Sequence, residues 1–249
     1  MCEKSENFSD FMTTCLNLVS LIGFQPIAPF VSAVNPLLQR ILEKGFRLFN
    51  RDSTAKVECA RLGIAYVHAC DTINSKIQNG NRLRSDGFLD EISIDSYSVA
   101  DEVIETTLRN TVQDAESKKA YLYGRFIGSF PFSEDLTIEM LIHYNMVLAQ
   151  LSYREIEILH CLCDRNKHCF NSLENTMREN PSQEASVLFS SLLHLKSLGL
   201  LIQLFPVTLG APIGNIKVSS IGHDLDRILS LDDVSNDLSM LVRQFDTPY

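Results

Sequence analysis

A glycine set between a helix and a strand constrains this chain more than any other feature. It lies in Leu198-Gly199-Leu200-Leu201-Ile202. Upstream, Val187, Leu188, Ser191, Leu192 and Leu195 recur at helical spacing, which predicts a helix over about 183–198. Glycine ends helices because it accepts the left-handed backbone at no steric cost. The apolar run after it leaves no room for a loop, so the chain passes straight into a strand. Pro206 to Asn215, with Gly210, Pro212 and Gly214, reads as a loop, and Ile216-Lys217-Val218 as a second strand. Ser219-Ser220-Ile221-Gly222 then opens a helix carrying Leu225, Ile228 and Leu229. Helix, glycine stop, two-stranded hairpin and helix is the order of a winged helix, a variant of the helix-turn-helix.

Two further helices precede it. Ser133, with Glu134, Asp135 and Leu136 behind it, opens one that runs to about 149. Ser152 and Glu155 form a capping box for another, with Ile156, Leu159, Leu162 and Cys163 on its apolar stripe. The expected fold class is therefore mainly α: a helical N-terminal region followed by a C-terminal winged-helix domain with a short β-hairpin wing. The winged-helix domain spans 131–231. Residues 232–249 form a C-terminal helix with Val234, Leu238, Leu241, Val242 and Phe245 on one face.

Residues 51–130 read as a helical domain. Ala60, Ile64, Val67, Cys70, Ile73 and Ile77 stripe a helix over 54–78 that stops at Asn79-Gly80. Ser85-Asp86-Gly87 is turn chemistry. Helices follow over about 97–113 and 115–129, the latter ended by Phe130-Pro131-Phe132. Residues 1–50 form an apolar, proline-interrupted helical segment. No charged side chain occurs from 11 to 39, but Gly23, Pro26, Pro29 and Pro36 punctuate the run. A membrane span needs about 20 uninterrupted apolar residues, and an interior proline costs about 3 kcal/mol. A covered helical hairpin fits better than a span.

The formal net charge of −9 opposes binding to phosphate. The polar candidates for nucleic-acid contact on the 183–198 helix are Ser186, Ser190, Ser191, His194 and Lys196, of which only Lys196 is formally positive. Residues 151–231 carry seven basic against eight acidic side chains, and the hairpin loop has no basic residue. Readers of DNA neutralise several phosphates with Lys and Arg. A protein-contact module is the leading expectation; a DNA-binding regulator and a membrane-disrupting toxin acting through residues 11–39 are the alternatives.

The seven cysteines are odd in number and most fall in apolar helical patterns, as expected of reduced thiols in a cytoplasmic protein. The acidic start of the chain lacks the positive charge of a secretory leader. The cluster from His160 to Cys169 is the densest set of metal-ligand residue types. Cys161 and Cys163, two apart on a helix, point about 200° from each other and cannot share one ion. No phosphate loop or nucleophile elbow occurs: Gly124-x-x-x-Gly128 lacks the following Lys-Ser/Thr. A non-enzymatic protein is expected, with no catalytic, cofactor-binding or metal residues.

Ile77 to Leu89, Ala100-Asp-Glu-Val-Ile-Glu105, Asp114 to Gly124 and Leu151-Ser-Tyr-Arg-Glu155 resemble a group of uncharacterised bacterial proteins. The layout, an apolar N-terminal part, a Glu/Lys-rich helix and a winged-helix-like end, resembles the abortive-infection alpha proteins of phage defence. The resemblance implies an accessory or effector protein of bacterial antiviral defence and transfers no site residues. Winged-helix accessory proteins beside retron reverse transcriptases keep DNA binding as an expectation by analogy. The expected partner is a protein encoded nearby or a second copy, with nucleic acid or a membrane met through residues 11–39 as alternatives. No small-molecule substrate is evident.

Overall fold

The computed structural model describes residues 37, 40, 41, 43–45, 56–89, 98–165, 167–179, 181–204, 213–231 and 236–246. Within them the chain is mainly helical with one small antiparallel sheet. It divides into two compact units, Met1–Ala149 and Gln150–Tyr249. The uncharged segment 11–39 and most of the hairpin loop lie outside the described residues. Among the described residues no helix is long and apolar enough to cross a membrane.

The first unit contains α1 (Lys56–Gln78), α2 (Val99–Gln113), α3 (Ala120–Ser129) and α4 (Ile138–Gln150). α1 ends where expected: Gly80 takes φ +79°, and the Asn81 N–H donates to Lys76 O. α2 starts at a capping box in which Ser98 and Asp101 each satisfy the other's backbone N–H. The turn at Ser85-Asp86-Gly87 also holds a cation. The Arg84 guanidinium is buried, donates to the Asp86 carboxylate and to Leu136 O, and lies 3.9 Å over the Phe88 ring. The Arg84 hydrogen bond holds the Asp86 carboxyl down to about 2.

α1 and α3 pack at backbone contact. A Cβ at Gly124 would land on the Ala65 carbonyl oxygen, and one at Gly128 would sit 2.6 Å from Thr72 Cβ. The glycine pair that lacked a phosphate-loop context therefore serves helix packing. α4 begins at Ile138 rather than Ser133, because Ser133 O accepts the Leu136 N–H in a turn. Glu134, expected at a helix N-terminus, instead accepts from the backbone and hydroxyl of Ser85.

The second unit contains α5 (Tyr153–Cys163), β1 (His168–Cys169), α6 (Asn171–Glu179), α7 (Gln183–Ser197), β2 (Leu201–Gln203), β3 (Asn215–Val218), α8 (Ser220–Leu229) and α9 (Asn236–Phe245). The expected hairpin is β2 and β3, with Leu201 opposite Val218 and Gln203 opposite Ile216. It belongs to a larger sheet of order β1-β3-β2, since His168 pairs with Ile216. β1 and α6 were not expected from the sequence. Leu201, Ile216 and Val218 face the core, while Ile202 and Lys217 face out.

The Ser-x-x-Gly start of α8 has two separable jobs. Ser219 accepts the Gly222 N–H as N-cap. Gly222 lets the helix approach closely, because a Cβ there would lie 2.7 Å from both Leu200 O and Val218 Cγ1.

Candidate functional site

Every polar residue proposed for nucleic-acid contact lies on α7, but not all of them reach its surface. α7 starts at Ser182, whose hydroxyl accepts the Ala185 N–H. It ends in a Schellman motif: Gly199, at φ +75°, donates to Lys196 O, and Leu200 donates to Leu195 O. Leu195 and Leu200 are both fully buried, which pins the exit angle into β2.

Ala185, Leu188, Ser191, Leu192 and Leu195 form the buried side of α7. Ser191 is therefore corrected: its position on the apolar stripe turns it inward. Ser186 is half-buried and donates its hydroxyl to Ser182 O. Ser190 is exposed. His194 Nδ1 lies 2.8 Å from Glu155 Oε1 on α5. Lys196 Nζ donates to Gln203 Oε1 on β2. Thus the two candidates able to carry positive charge are both engaged by the unit's own side chains, and the helix has no other Lys or Arg. Two large apolar side chains face solvent on the same two elements, Val187 at 38% exposure on α7 and Ile202 at 44% on β2.

Glu155 ties this helix to α5. One carboxylate oxygen accepts the Ser152 N–H and hydroxyl, and the other faces His194. We expect Ser152→Ala to cost about 1 kcal/mol, a normal cap loss. Glu155→Ala should cost more, because it also strips His194 of its partner. Urea unfolding of both variants checks the order, and equal losses would mean the His194 contact contributes nothing.

The base of the hairpin loop is anchored in the core. Ile213 is fully buried and its N–H donates to the buried Glu174 carboxylate at 2.7 Å, while Phe170 N–H donates to Gly214 O. The Glu174 anchor was not legible, because Glu174 sits on the unexpected α6.

The described thiols of the cysteine-rich segment face different neighbours. Cys161 faces Ser239 on α9, whereas Cys163 faces Asp226 on α8, so the two thiols do turn apart. Cys163, expected in the core stripe, is half-buried. Burial pushes the Cys161 thiol up; burial and then Asp226 do the same to Cys163. Thiols raised this way are poor nucleophiles at neutral pH. Among the described residues no group of three or more His, Cys, Asp or Glu is placed to hold a metal. His160 is engaged by Asp226 at 2.7 Å, a pairing that sequence spacing does not reveal. Compared with known proteins, the chain matches no family model, no curated protein and no solved structure.

Proposed function

We propose that the second unit is a winged-helix module that contacts protein rather than DNA, in a non-enzymatic accessory or effector protein of bacterial antiviral defence. The element order and the sheet order β1-β3-β2 support the winged-helix reading. The defence setting rests on the resemblance of the segments between residues 77 and 155. The observation that carries the protein-contact reading is the character of the α7 and β2 surface. It presents Val187 and Ile202 to solvent, while its one lysine, Lys196, is engaged by Gln203. With the outward-facing Lys217 on β3 the surface offers two lysines, fewer than the several basic side chains that DNA readers bring to the phosphates.

The test is duplex-DNA binding by the full chain across a salt series. We expect no salt-steep binding and no effect of Lys196→Ala. A steep salt slope that Lys196→Ala flattens would replace this reading with the DNA-binding alternative. The protein-contact reading also expects Val187→Glu with Ile202→Glu to abolish co-purification with a neighbouring gene product while leaving the unfolding free energy within about 0.5 kcal/mol of the parent.

A further inference from the structure

His168 is 2% exposed, yet both of its ring nitrogens face oxygen atoms. Nε2 lies 2.7 Å from Leu162 O and 3.2 Å from Arg165 O. Carbonyl oxygens only accept, so Nε2 carries a proton and donates. Nδ1 lies 2.8 Å from Asp246 Oδ2. The other oxygen of Asp246 accepts the Cys169 N–H at 3.0 Å, and the Arg165 guanidinium stands 3.6 Å from Oδ2. Donors on both oxygens favour the ionised carboxylate, which can only accept. Nδ1 must then donate as well. An imidazole that donates from both nitrogens is an imidazolium.

The pair joins two distant parts of the chain. His168 is on β1, and Asp246 directly follows α9. α9 is otherwise seated by Leu238, Val242 and Phe245, by a Ser172 hydroxyl bond to Phe245 O, and by Ser239 against Cys161. The cleft beside Asp246 holds three further charged groups, Asp164, Arg165 and Arg243.

We propose that α9 is a proton-dependent latch, seated while His168 carries protons on both ring nitrogens and released when one is lost. Whichever proton leaves, a ring lone pair is turned against an oxygen lone pair at under 3 Å in a buried site. Loss from Nδ1 opposes Asp246, and loss from Nε2 opposes Leu162 O. Unsatisfied buried contacts of this kind are costly; with Nε2 kept as the donor to Leu162 O, the lone pair falls on Nδ1 against Asp246, and lifting α9 removes that contact. The sign follows from which form the seat binds. The seat selects the cation, so its contribution is present at lower pH and is lost as pH rises. Release bares the apolar stripe of α9 and the α5 and α6 surfaces under it. The inference does not depend on the winged-helix reading, since it uses only β1, α9 and the segment between α5 and β1.

Amide hydrogen exchange of residues 236–246 in the full chain, corrected for intrinsic rates, tests it. Between about pH 5.5 and about pH 9, the range over which histidine switches act, protection of α9 should fall by about tenfold or more relative to α7. In Asp246→Asn and His168→Gln that pH dependence should disappear. Equal protection of α9 at both ends in the parent, or the same pH dependence in His168→Gln, overturns the proposal. Nitrogen NMR of the unmodified protein decides it without any variant. In the seated state both His168 ring nitrogens should give imidazolium signals, and a neutral tautomer there overturns the latch.

Discussion

Replacing Asp114 with alanine should cost the first unit about 3–5 kcal/mol, the range for stranding one member of a buried ion pair. Its partner, Lys119, is 1% exposed, and its ammonium pairs with Asp114 Oδ2. The same oxygen accepts the Tyr123 hydroxyl at 2.7 Å, and Oδ1 accepts the Glu116 N–H at 2.9 Å. One carboxylate thus satisfies an ammonium, a phenol and a backbone donor. Against a typical domain stability of about 5–15 kcal/mol this loss approaches unfolding. Urea denaturation followed by circular dichroism measures it. Adding Lys119→Met to Asp114→Ala should recover part of the loss, because the stranded charge is gone. A loss below about 1 kcal/mol in the single variant would show that the pair behaves like an exposed one.

The same site sets a pH dependence. Burial pushes the Asp114 carboxyl up, but Lys119, Tyr123 and the Glu116 N–H outweigh it, and the net value lies below the ordinary one. Burial and then Asp114 push the Tyr123 hydroxyl up. A carboxylate held low in the fold contributes stability above the unfolded value of about 3.9 and loses it as pH falls through the folded value. Acid unfolding of Asp114→Asn should lack this component.

None of this was legible from residue pattern. Lys118-Lys119 reads as a solvated pair, and only the fold turns Lys119 inward. What pattern did carry were the local decisions. The stripe of α1 and its glycine stop, the Ser152–Glu155 box and the exit at Gly199 each depend on residues within one or two turns of each other. β1 has two residues, and only pairing with β3, more than forty residues on, makes it a strand. α6, Asn171-Ser-Leu-Glu-Asn-Thr-Met-Arg-Glu179, buries just Leu173 and Glu174, so it has no apolar period to read. The site shows the same division. Ser190 and Lys196 could be placed on a helix from sequence, but the bonds from His194 to Glu155 and from Lys196 to Gln203 are set by packing. Those bonds hold both side chains to their own unit.

Gly124→Ala separates packing from propensity by its sign. On an open helix surface alanine is favoured over glycine by about 1 kcal/mol, so a judgement from local sequence expects the variant to be stabilised. In α3 the added methyl would meet the Ala65 carbonyl oxygen and would lie 2.9 Å from His68 Cβ. Both are attached to the backbone of α1, so no side-chain rotation relieves them. The helices must separate, which also loosens Gly128 against Ala69 and Thr72 one turn on. Overpacking of this kind costs about 1–3 kcal/mol for a methyl or two and more when backbone must move. Gly124→Val should therefore exceed Gly124→Ala, and either should lower the thermal midpoint. Gly45 is the control: it is helical and a Cβ there meets no described residue within 4 Å, so Gly45→Ala should be neutral or stabilising. If Gly124→Ala raises the midpoint as Gly45→Ala does, the close approach of α1 and α3 is not present in solution. If the two substitutions differ in sign, helix propensity is excluded as the cause, and the glycine at 124 is explained by the neighbour it admits.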